Sequence, residues 1–140
     1  MPLPSHLISA SAFVILLLGL LHLWFTFAGR RLHPRNDALR QAMEAEHPVL
    51  TRGTTMWRAW IGFNASHSFG AMLYGLVYGY LALAAPAVLL GSPFLLAVGA
   101  GLLLGYLLLG KRYWFSAPFR GILLAALLYT AALVQLAGTV

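Results

Sequence analysis

There is no cysteine in these 140 residues, and there are only three carboxylates, Asp37, Glu44 and Glu46. The first absence excludes disulfides, thiolate metal sites and cysteine nucleophiles. The second leaves little for acid–base chemistry, because all three carboxylates lie within residues 37–46 and none falls in an apolar run. Charge of either sign is scarce, at 9% of residues, whereas an ordinary soluble domain carries about 25%. No linker, repeat of fixed period or catalytic motif breaks the chain. Residues 1–7 hold no Lys or Arg, so the first apolar run lacks the basic leader of a signal peptide and reads as a retained span.

What is present is lipid-compatible sequence, 61% hydrophobic with a mean hydropathy of +0.82. A spanning helix needs about 20 mostly apolar residues, and four segments read as spans: 7–28, 56–83, 93–109 and 118–136. The expected fold is therefore all-α, a single domain over 1–140 with four transmembrane helices in an antiparallel bundle. All nine basic residues fall in 30–58 and 111–120, while 84–92 carries no charge. Short loops rich in Lys and Arg stay cytoplasmic. The expectation is a multi-pass protein of a bacterial cytoplasmic membrane with both termini on the outer, periplasmic side.

The net charge of +6 sits beside hydrophobic runs rather than on a solvated face, so anionic lipid headgroups are the expected counter-charge and nucleic acid is not. Arg30, Arg31, Arg58, Lys111, Arg112, Trp114 and Arg120 are the candidate contacts to headgroups or to a partner subunit; plain snorkelling anchors are the alternative. In the first basic loop, Asn36 can cap a helix from about Asp37 to Glu46, with Ala38, Leu39, Ala42 and Met43 on one face. That helix is expected along the cytoplasmic interface. Arg40 and Glu44, four apart, form a solvated pair on its other side. His6, His33 and His47 are expected to be solvated.

The polar cluster GFNASHSFG, residues 62–70, stands inside the second apolar segment. Polar groups in hydrocarbon are costly without partners, and an ionisable one is a functional-site hypothesis. At 1.5 Å per residue, His67 lies about 15 Å and Asn64 about 10 Å past Trp57. Asn64, His67, Ala71, Tyr74 and Tyr78 share one helix face, and His22 in the first segment lies at a depth matching Asn64. Two readings stay open. The cluster is interhelical hydrogen-bond glue, or His67, with Asn64, Tyr74 and His22, holds a haem, a chlorin or a quinone. For an anionic-tailed ligand, Arg30, Arg31 and Arg58 would be the counter-charges. Metal binding through several protein ligands is disfavoured, since no carboxylate or thiolate lies in a span. Small residues at four-residue spacing, Ala71, Gly75, Gly79 and Ala97, Gly101, Gly105, predict close antiparallel packing of the second and third spans.

The combination of His22, Phe25 and Thr26 with GFNASHSFG and with 113–121 resembles a family of short, uncharacterised bacterial four-helix integral membrane proteins. The resemblance implies a four-helix fold and marks Asn64, Ser66 and His67 as a signature, and it implies no activity. Taken together, the chain is expected to be a non-enzymatic accessory or structural subunit, packing against a larger membrane complex such as a respiratory or photosynthetic one, or against copies of itself. The small binder of haem, chlorin or quinone is the alternative. A transporter is disfavoured because too few polar side chains are present to line a path.

Overall fold

The computed structural model describes residues 2–138 and contains six helices and no strand among them. They are α1 (Leu3–Phe27), α2 (Asp37–Ala45), α3 (Met56–Ala84), α4 (Pro86–Leu90), α5 (Pro93–Tyr113) and α6 (Ser116–Ala137). Their ends have local causes. Gly29, at φ 82°, turns the chain away just past α1 in the left-handed region that side chains avoid. Asn36 Oδ1 accepts from Ala38 N at 2.9 Å and starts α2. Ser92 Oγ accepts from Leu95 N at 3.3 Å, and Pro93 opens α5 at the position where a missing N–H costs nothing.

Three helices, α1, α5 and α6, are long and apolar enough to cross a membrane. Four were expected, and among the described residues α3 does not meet that measure. The second segment does form one unbroken helix of 29 residues, yet its polar cluster and Tyr74, Tyr78 and Tyr80 dilute its hydropathy below that of the other three. The short α4, inside the uncharged connection, was not foreseen; it sets Leu89 fully inside the core.

The chain divides into two compact units, the first made of Met1–Leu18 with Ala71–Val140 and the second of Gly19–Gly70. The first unit has the larger apolar interior, built on Ile8, Ile15, Leu89, Leu103, Ile122 and Tyr129. Its helices are tied by side chains donating to main-chain carbonyls. Ser11 donates to Ala125 O at 2.8 Å, Tyr78 to Leu95 O at 2.7 Å and Tyr129 to Leu96 O at 3.0 Å. A carbonyl has two lone pairs, so each of these bonds can add to the helical one.

The glycine track expected on α5 does not pack. A Cβ built on Gly101 or Gly105 would meet nothing within 4 Å. Close approach happens at Gly99 instead, where a Cβ would lie 2.7 Å from Tyr78 Cε1 and 2.8 Å from Tyr129 Cζ. On α3, Gly75 faces α1 rather than α5, with Ala12 O at 2.8 Å and Leu16 Cα at 2.9 Å from an added Cβ. Four-residue spacing says that backbones can approach; which helix supplies the neighbour depends on helix rotation, which spacing does not encode.

In the second unit, α2 buries none of its residues. Arg30 pairs with Asp37, and Arg40 with Glu44 at 3.0 Å. Glu46 O accepts from Met56 N at 2.9 Å and His47 Nδ1 meets Thr54 O at 2.7 Å, closing the loop between α2 and α3. His33, expected in solvent, is instead half-buried with its ring edge-on to Trp57 at 4.8 Å. The following Pro34 disfavours helical backbone at His33.

Candidate functional site

Within the second unit, the polar cluster of α3 meets the C-terminal end of α1. Asn64 Nδ2 donates to Trp60 O at 2.8 Å, which leaves Oδ1 to accept. His22 Nε2 lies 3.0 Å from that oxygen. The amide orientation therefore assigns the tautomer: the proton sits on His22 Nε2 and Nδ1 is the acceptor nitrogen. His67 packs its ring edge-on against His22, with centroids 5.4 Å apart and planes at 81°. The helical count put His67 one turn deeper than His22, and side-chain length closes that gap.

The rest of the cluster bonds to its own helices. Thr26 donates to His22 O at 2.8 Å, Ser68 to Asn64 O at 2.9 Å and Ser66 to Gly62 O at 2.8 Å. This four-back pattern lets a hydroxyl satisfy itself without a neighbour. Asn64, Ser68 and Thr26 are buried, while Ser66 is exposed on another face. Chemically, the site offers two imidazoles and one amide held by a network whose members constrain one another. Among the described residues no three His, Asp or Glu side chains converge. Two imidazoles can share a proton or supply two ligand nitrogens, and neither role requires a carboxylate.

Tyr74, grouped with this cluster by its helical face, belongs to the first unit. There it is buried and stacks on Tyr78 at 4.6 Å. Its hydroxyl lies beside Ser11, whose own proton is donated to Ala125 O.

The basic residues are placed as follows. Arg58 is exposed in the first turn of α3, and Arg31 lies over the Phe25 ring at 4.3 Å. Lys111 and Arg112 occupy the last turn of α5, where cations favour the dipole. Trp114 caps that helix with its ring 6.4 Å from Tyr106, and Arg120 is exposed on α6.

Sequence reasoning missed a groove. Leu32, His33, Pro34, Met43 and Trp60 line an open, mostly apolar depression of about 320 Å³. The Trp60 indole donates to Leu32 O at 3.1 Å, fixing one wall. A signal was present: an indole near an interface needs an acceptor, and a break at Pro34 frees carbonyls to supply one. Compared with family models, curated proteins and solved structures, the chain matches none.

Proposed function

We propose that this chain is a non-enzymatic integral membrane protein, an accessory or structural subunit whose role lies in contacts made within the bilayer. The observation that carries this reading is the self-sufficiency of the polar cluster. His22, Asn64, Thr26, Ser66 and Ser68 all bond within the chain. Outward faces meanwhile carry large apolar groups such as Phe13, Trp24, Phe63, Phe69, Phe94 and Leu108. Glue specifies a fold and leaves function to the surface.

On this reading α3 crosses the membrane as a fourth span. Its length suffices for the hydrocarbon, and its internal hydrogen bonds reduce the cost of its polar side chains. The charge distribution adds an independent argument. With α1, α3, α5 and α6 all crossing, residues 30–58 and 111–120 lie on one side; without α3 they lie on opposite sides. The positive-inside rule favours the first arrangement, with both termini outside. A reporter fused to the C-terminus tests it, and cytoplasmic activity of that reporter would reject it.

The subunit role is tested by gentle solubilisation and native-size analysis of the chain at its natural abundance. A stoichiometric partner, or a defined homo-oligomer, is the expected result. A lone chain would reject it. A second reading, binding of a haem, chlorin or quinone at His67, draws support from the facing imidazoles of His22 and His67. An absorption spectrum and solvent extraction of protein from native membranes discriminate: a chromophore or quinone in proportion to protein favours the binder.

A further inference from the structure

We propose that the turn at residues 48–51 is a membrane-inserting tip, which seats Val49 and Leu50 at the boundary of headgroups and acyl chains in the cytoplasmic leaflet and sets Arg52 among the lipid phosphates. The inference rests on the reading of α3 as a span. It adds to that reading a second point of contact with the same leaflet.

Val49 and Leu50 are the most exposed large apolar side chains among the described residues, at 109% and 93%. The next, Phe94 and Tyr113 at 73% and Phe115 at 72%, belong to or adjoin helices apolar enough to cross a membrane. Val49 and Leu50 belong to neither, since they lie in the connection between α2 and α3. Lipid around the spans does not account for them.

Their exposure is built in. Thr51 N donates to Pro48 O at 3.1 Å, so Val49 and Leu50 take the central positions of a hydrogen-bonded turn. Gly, Pro, Asn, Asp and Ser dominate such positions because they suit its backbone, and two branched aliphatics bring no such advantage. Behind the tip, Gly53 N donates to Thr51 Oγ1 at 3.0 Å, His47 Nδ1 meets Thr54 O at 2.7 Å and Met56 N donates to Glu46 O at 2.9 Å. This closed neck holds the aliphatic pair away from the apolar surface of its own chain.

The neck closes on the first residue of α3, and the chain from Leu50 to Met56 is short enough to keep the tip within about 20 Å of the helix start. Trp57 and Trp60 mark that start as interfacial. Lipid is therefore within reach, and aliphatic groups gain by entering the acyl boundary. Charge agrees. Arg52 and Arg58 are exposed, and neither has an ion pair among the described residues. Glu46, the single carboxylate of 46–58, sits at the neck and not at the tip. A layer of phosphates supplies the missing counter-charge, and arginine can keep its head there while its stem follows the apolar tip. A protein partner fits less well, because two aliphatic side chains fall far short of the about 800 Å² that each partner buries in a stable interface.

The lack of cysteine makes the test direct, since one introduced thiol carries one spin label. Val49→Cys and Leu50→Cys are made separately, so that the other aliphatic remains, and each full chain is labelled and reconstituted in bilayers of phosphatidylcholine and phosphatidylglycerol. Relaxation by oxygen, which partitions into lipid, is compared with relaxation by a nickel chelate, which stays in water. Leu73→Cys on the exposed face of α3 and Gln41→Cys on exposed α2 give the lipid and water references. Both tip labels are expected to respond several-fold more to oxygen than to the chelate, as Leu73→Cys does, at a shallower depth. Adding Arg52→Glu to the Leu50→Cys chain should lower that ratio by about twofold or more. Tip labels that follow the chelate as Gln41→Cys does would overturn the proposal. So would labels shielded from both reagents, the mark of a protein contact, or a ratio indifferent to Arg52→Glu. The span reading fails separately: a Leu73→Cys label that follows the chelate rejects it, whereas a lipid-exposed Leu73→Cys with a water-exposed tip rejects the tip alone.

Discussion

In the first unit, hydroxyls of Ser11, Tyr78 and Tyr129 donate across helices to main-chain carbonyls, and backbones close up at Gly75 and Gly99. In the second, a side chain meets a side chain, His22 on Asn64, and the remaining hydroxyls turn back onto their own helices. The first arrangement ties helices through acceptors that every helix has in excess. The second depends on a matched pair of residue types and so tolerates fewer substitutions. Loose ends differ too. Ser5 and Tyr74 hydroxyls are left unmatched within the first unit, and the second leaves His33 Nδ1 buried without a partner.

The sharpest way to break the first unit is Gly75→Ala. Its new methyl would meet the main chain of α1 at Ala12 and Leu16, which cannot rotate away, so a loss of about 2 kcal/mol or more is expected from overpacking. Equilibrium unfolding in mixed micelles of rising dodecyl sulfate content measures it, and a wild-type midpoint would contradict the packing described. Next in size is the pair of the second unit. Asn64→Leu should cost about 1–3 kcal/mol by stranding the His22 N–H in apolar surroundings. A cycle with His22→Leu should recover a coupling of about 0.6–1.7 kcal/mol, the range for interhelical bonds in membranes. Additive single effects would mean that the two side chains do not interact.

A smaller effect is expected at Tyr129, which gives up one interhelical hydrogen bond on becoming phenylalanine. About 0.6 kcal/mol is the anticipated loss. Smallest of all is Gly101→Ala. Open space surrounds that position, so the substitution should be neutral or should stabilise by up to about 1 kcal/mol through helix propensity. Opposite signs for Gly75→Ala and Gly101→Ala in the same assay would separate glycines that permit contact from glycines that merely share their spacing.

Much of this contrast was legible in residue order. The Asn36 cap, the 37–45 helix, the spacing that brings Asn64 and His67 to one face and the match in depth of His22 and Asn64 all follow from local rules of the helix. The glycine neighbours did not follow, because helix rotation is set by all the side chains at an interface together. Tyr74 was assigned to the polar face correctly and to the polar site only by extension, since a shared helical stripe runs past the site into the tyrosine stack. The solvated His33 expected from its loop was overturned by Trp57 and Trp60, more than twenty residues further along the chain.

By itself the sequence determined a helical chain with membrane-length apolar runs, cations confined to two stretches and one polar interruption. These are properties of periodicity and composition, and they need no knowledge of neighbours. Only the tertiary structure decided that Gly75 meets α1, that Gly99 makes room for two tyrosines, that His22 donates a hydrogen bond to Asn64, and that His33 Nδ1 is buried without a partner. Each depends on which side chains arrive from distant parts of the chain to fill or leave a space. Packing and hydrogen bonding are pairwise in space, and residue order records only half of each pair.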